Sequence, residues 1–162
     1  EVWDSSEKRW RLVDPERDDL SIQKNNIQFD VHDVPRDQFL VAGKAWQMCR
    51  TGEVDPNRFG LFGFGDMKGL WFIRGNLILD LAAQNKRELL LCDSWGLMLK
   101  DMETYTKEEW RLLDKVAVLT QAGNEAFTEM QAIYEEEAGL KVPRIVKCYT
   151  PVGEPSEATL PI

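Results

Sequence analysis

A chain of 162 residues suits one domain and can bury roughly two thirds of its unfolded surface. Its 43% hydrophobic content, with six Trp and seven Phe, argues for an apolar core and against general disorder. A net charge of −8, from 28 acidic and 20 basic residues, gives no electrostatic reason to seek nucleic acid or an anionic membrane.

No apolar run reaches the 18 or so residues of a membrane span. Gly69 to Ala83 comes nearest and is broken by Arg74, Asn76 and Asp80. No signal-peptide pattern is visible. Three Cys is an odd, sparse count that argues against a disulfide framework and for a reducing, cytoplasmic compartment. With one His and no CxxC or zinc-knuckle spacing, neither a metal site nor a cofactor is expected.

In chain order, Glu1 to Pro15 reads as a β-hairpin. Val2 and Trp3 lead in, Asp4 to Lys8 turn, and Trp10, Leu12 and Val13 lead out to Asp14-Pro15. A hairpin is marginal alone, so an upstream segment or a partner chain is expected to complete the sheet. Glu16 to Asn26 is polar and reads as a loop, and Ile27, Phe29 and Val31 alternate as in a short strand. Asp33 and Pro35 signal a helix start, with a helix from about Pro35 to Cys49 or Arg50 carrying Phe39, Ala42, Trp46 and Cys49 on one face. Gly52 terminates it.

Asp55-Pro56 opens a short turn. Gly60 to Gly69, with four glycines, is a loop. It matches neither GxxxxGK[ST] nor GxGxxG, and reads equally as an anion cradle through its backbone N–H groups or as a flexible loop flanking a cleft, a gate. A helix over about Leu70 to Asn85 carries Leu70, Ile73, Leu77, Ile78 and Leu81, widened by Trp71. Glu88 to Cys92 is a short apolar run that periodicity leaves open between strand and helix end. Thr106-x-x-Glu109 forms a capping box before Trp110, Leu113 and Ala117. Asn124 is expected to cap a last helix whose face is Phe127, Met130, Ile133 and Tyr134. Ile145 to Tyr149 suggests an edge strand. The fold class is therefore α+β: a small antiparallel β element packed with about five helical segments. A single domain is expected over 1–150, with 151–162 a surface or disordered tail.

Among chemistry-bearing residues, Asp14 sits at a strand end, held extended by Pro15. A carboxylate there can orient an imidazole in a Cys-His-Asp triad, fixing its tautomer and stabilising the cation; the plainer reading is a turn residue. Cys49, late in a helix and on its apolar face, reads as a core thiol. Cys92 reads as buried, and His32 as a local cap or link. Arg50 suits a helix C-terminus. Arg74, interrupting an apolar stripe, reads as a structural ion pair with Asp80, Asp93 or Asp55, or as a ligand-anion clamp.

The segment VWDSSEKRWRLVDP resembles the hairpin that carries the triad aspartate in transglutaminase-like proteins, with Trp10 and Asp14-Pro15 matching its second strand. The runs FLVAGKAWQMCRTGEVDPNRFG and GLWFIRGNLILDLAAQNKRELLLCDSWG resemble the C-terminal extension of a bacterial transglutaminase-like subgroup. The resemblance spans about Val2 to Gly96. It implies acyl transfer or amide hydrolysis through a thioester, that is, a transferase or hydrolase, with Asp14 as the sole triad member. The family's cysteine and histidine would lie upstream of Glu1. The alternative is a non-catalytic helical scaffold or protein-interaction module, with Trp residues as partner anchors.

Overall fold

The computed structural model describes residues 1–15, 17–24, 26–61, 67–148 and 156–160, and the chain divides into two compact units, Glu1–Leu40 and Val41–Ile162. Among the described residues the fold is α+β, with five α-helices and two small antiparallel sheets.

In the first unit, β1 (Val2–Asp4) and β2 (Arg9–Arg11) form the expected hairpin, with Trp3 opposite Trp10. The two indoles meet edge to face at 5.5 Å, a geometry that the ring quadrupoles favour. The turn is organised by Asp4, whose carboxylate accepts from Ser6 N at 2.8 Å, Ser6 Oγ at 2.6 Å and Glu7 N at 3.1 Å. Lys8 closes it in the left-handed region at φ 53°. Beyond β2 the backbone is tied by two single bonds, Asp14 N to Val31 O and Val34 N to Leu12 O, both 2.8 Å. Ile27 to Val31 therefore forms no strand; it meets the preceding chain through isolated bonds at the buried Val31 and Val34. The polar stretch read as a loop contains α1 (Asp19–Lys24), begun by Asp18 accepting from Ser21 N at 2.7 Å.

The helix expected from Pro35 is divided. Pro35 caps a 3₁₀ turn at Arg36–Gln38, and Phe39 and Val41 are extended. The α-helix proper, α2 (Ala42–Arg50), belongs to the second unit. It is joined there by α3 (Leu70–Gln84), α4 (Lys107–Leu119) and α5 (Phe127–Glu136). The capping box of α4 is complete: Glu109 N donates to Thr106 Oγ1 at 3.2 Å, and Thr106 N to Glu109 Oε2 at 2.7 Å. Asn124 does not cap α5. It lies in a 3₁₀ turn, Gly123–Ala126, that runs directly into the helix.

The core of this unit is contributed by every helix: Trp46 from α2, Leu77 and Leu81 from α3, Leu113 from α4 and Tyr134 from α5 are all essentially buried. Beside it lies a three-stranded sheet of order β3 (Asp93–Ser94), β4 (Ile145–Cys148) and β5 (Ser156–Thr159). β4 is thus central rather than an edge, with Val146 fully buried. Asp93 pairs with Cys148, and Cys148 with Ser156. Within the tail, β5 and Leu160 are described; the reading of 151–155, 161 and 162 falls outside the described residues. In the glycine-rich loop, Gly60 bridges Lys68 and Leu61 N donates to Met67 O at 2.9 Å. Its remaining positions, 62–66, also lie outside the described residues. Among the described residues no helix is long and apolar enough to cross a membrane.

Candidate functional site

The residues singled out by sequence take different places. Asp14 is partly exposed and ion-paired with Arg17, Oδ2 to Nε at 3.1 Å. His32, the only imidazole of the chain, is 83% exposed in its side chain and faces Asp30 at 3.4 Å. Trp10 stands exposed against Trp3. Arg50 donates to Asp114 through Nε at 3.1 Å and Nη2 at 3.2 Å, with its guanidinium 4.4 Å from the centre of the Trp110 ring. It fastens α2 to α4.

Arg74 is held by no carboxylate among the described residues. Its guanidinium, 5% exposed, donates to Met98 O at 2.7 Å, Lys100 O at 2.8 Å and Tyr105 Oη at 3.0 Å. The Tyr105 hydroxyl in turn donates to Leu97 O. One buried cation thus gathers the carbonyls of the 97–100 turn, which have no ladder partner of their own. Burial raises the Tyr105 phenol above its ordinary pKa, against the opposing pull of Arg74.

The thiols are sorted by packing. Cys49 packs against the core, and its pKa is raised, first by burial and then by Asp55. That is the reverse of an activated nucleophile. Cys92 and Cys148 come together instead: their sulfurs and an Asp93 carboxylate oxygen all lie within 4.8 Å of one another. The β3–β4 register makes this cluster. Asp93 sits across the ladder from Cys148, and Cys92 immediately precedes it. The Cys148 thiol is pushed up to about 11, first by its hydrogen bond with Cys92 and then by burial.

This cluster corrects the sequence resemblance. The site where cysteines and a carboxylate converge contains two thiols and no histidine, so it is no Cys-His-Asp triad. The one histidine belongs to the first unit and all three cysteines to the second. No family model, no curated protein and no solved structure matches the chain. The transglutaminase-like reading, with its transferase and hydrolase chemistry, is therefore overturned; β2 ends at Arg11, so Asp14 does not stand at a strand end either.

What the second unit presents is a cavity of about 410 Å³ between α3 and the turn that leads into β3. The apolar stripe of α3 exceeds what the core uses. Ile73, Leu77, Ile78 and Leu81 face inward, while Trp71, Phe72 and Leu79 line the cavity. The opposite wall is shaped by Asp93, whose Oδ2 accepts from Leu90 N at 2.8 Å while its own N donates to Leu90 O at 3.1 Å. This closed turn leaves Leu91, 87% exposed, in the cavity lining together with Trp71 at 45%. Leu90 and Leu99 are exposed beside it. The cleft was not legible from Glu88–Cys92, whose apolar character reads as burial until the Asp93 turn is known.

Proposed function

We propose that this chain is a non-catalytic protein-interaction module that seats apolar side chains of a partner protein in the cleft between α3 and the 90–93 turn. The observation that carries this reading is that Leu91 and Trp71, both exposed, line one apolar cavity. Large apolar side chains clustered around a concavity mark interaction surfaces, whereas scattered ones need no explanation. Aromatic anchors at such places dominate binding energy. The polar groups in the cavity support binding rather than turnover. Asn76 is engaged with Phe72 O at 2.9 Å, and one Asp93 carboxylate oxygen, Oδ2, with the Leu90 amide.

The hairpin supports a second contact. Two short strands with Trp3 and Trp10 exposed suit completion by a strand added from another chain. The acidic net charge disfavours nucleic acid as the partner, and three free thiols suit a reducing, cytoplasmic setting.

The test places a photo-crosslinking phenylalanine analogue at Leu91 in the full chain, in its native cells, with the same analogue at Glu125 as control. A discrete protein adduct from position 91, lost on Trp71→Ser and absent at 125, is expected. Equal or absent labelling at the two positions contradicts the reading.

A further inference from the structure

We propose that Cys92, Asp93 and Cys148 bind a thiophilic divalent cation of the zinc type, with a fourth coordination position open toward the cavity. This site shares Cys92 and Asp93 with the lining of the docking cleft but does not require a docked partner. Its donors are two thiols and a carboxylate, brought within 4.8 Å of one another by the β3–β4 ladder. Tetrahedral zinc, with Zn–S about 2.3 Å and Zn–O about 2.0–2.2 Å, sets its donors roughly 3.5–3.8 Å apart. Separations of up to 4.8 Å would have to close by roughly 1 Å to reach that spacing.

Asp93 supplies the second observation. It is 3% exposed, its carboxylate accepts from the Leu90 amide at 2.8 Å, and no Lys, Arg or His forms an ion pair with it among the described residues. A carboxylate so buried is costly unless a cation or further hydrogen bonds compensate it. The Leu90 amide occupies Oδ2 and leaves Oδ1 to serve as a ligand, in the manner of a hydrogen-bonded metal carboxylate. On binding, each thiol releases its proton to solvent and its sulfur lone pair binds the cation. Two thiolates and one carboxylate then surround a doubly charged ion. Soft sulfur ligands select zinc-type cations over magnesium or calcium. Cys92 and Asp93 also line the cavity, so the fourth position, filled by water or by a donor atom of a bound molecule, faces it.

The experiment is titration of the full chain with Co²⁺ alone, under a non-thiol reductant and without oxygen. The expected result is a near-ultraviolet sulfur-to-cobalt charge-transfer band that saturates at one ion per chain and is bleached by Zn²⁺. Cys92→Ser and Cys148→Ser each lower the band. Asp93→Asn weakens binding, and Cys49→Ser leaves the titration unchanged. A reduced wild-type chain that shows no such band overturns the proposal, whatever the variants do. So does a band that survives in the Cys92→Ser/Cys148→Ser double variant.

Discussion

The indole of Trp46 donates to Asp114 Oδ1 at 2.7 Å, joining α2 to α4 through a fully buried ring. Arg50 reaches the same carboxylate from the solvent side. The two bonds differ in what their loss strands. Asp114→Ala leaves a buried N–H without an acceptor, a loss of about 1–3 kcal/mol. Arg50→Ala removes an ion pair whose members are 36% and 42% exposed, worth about 1 kcal/mol or less. Urea unfolding of the two variants is expected to rank them in that order, with Asp114→Asn, which keeps an acceptor, close to wild type.

Arg74 is the more consequential cation because it is buried among carbonyls. Arg74→Leu strands Met98 O and Lys100 O, each at roughly 1–3 kcal/mol. Arg74→Lys recovers only part, since an ammonium cannot span the fork of positions that a guanidinium reaches. Tyr105→Phe, which removes one hydroxyl, is expected to lose less than Arg74→Leu. A neutral Arg74→Leu in denaturant titration would mean that desolvation of the guanidinium cancels its bonds.

Asp4 gives a pH signature to the hairpin. The Ser6 hydroxyl, then the Glu7 amide, with Arg11 assisting, lower its pKa from 3.8 to about 2. A lowered folded-state pKa means that the ionised form stabilises the turn. The contribution is whole above the ordinary value near 3.8 and is lost as pH falls through about 2. Carboxyl-detected NMR should show Asp4 titrating near 2, and Ser6→Ala should return it toward the ordinary range. An ordinary titration in the wild-type chain contradicts the turn geometry.

Two glycines with positive φ separate backbone strain from steric overlap. Gly123 (φ 68°) opens onto empty space, so Gly123→Ala incurs only the left-handed penalty, about 1–2 kcal/mol. Gly96 (φ 46°) would drive a Cβ into the Gly139 carbonyl oxygen, the group that accepts from Leu97 N at 3.0 Å. Backbone cannot rotate aside, so Gly96→Ala should lose about 2–5 kcal/mol, adding overpacking to strain. Thermal unfolding of the pair measures the difference.

Legibility in the sequence followed the range of the interaction. The hairpin, α3 and the capping box of α4 are written in contiguous residues, through Trp3 and Trp10, the Leu70 to Leu81 stripe, and Thr106 with Glu109. The short α1 was missed because its only signal is the Asp18 cap on a polar stretch. The partners of Arg74 were missed because carbonyls leave no trace in side-chain identity. Cys92 and Cys148 could not be joined because strand register, not spacing, unites them. The Asp14-Pro15 resemblance misled because β2 stops at Arg11, so the dipeptide marks no strand end.

If the cleft beside α3 docks the partner, Trp71 carries much of the binding energy. The most direct measurement is the affinity of the partner captured through position 91, compared between the wild-type chain, Trp71→Ala and Trp10→Ala. Loss of an anchor worth 2 kcal/mol or more weakens binding by about 30-fold. That is expected for Trp71→Ala with an unchanged melting temperature, and the hairpin variant should bind more tightly than Trp71→Ala. Wild-type affinity in Trp71→Ala, with binding abolished by Trp10→Ala, would contradict the account.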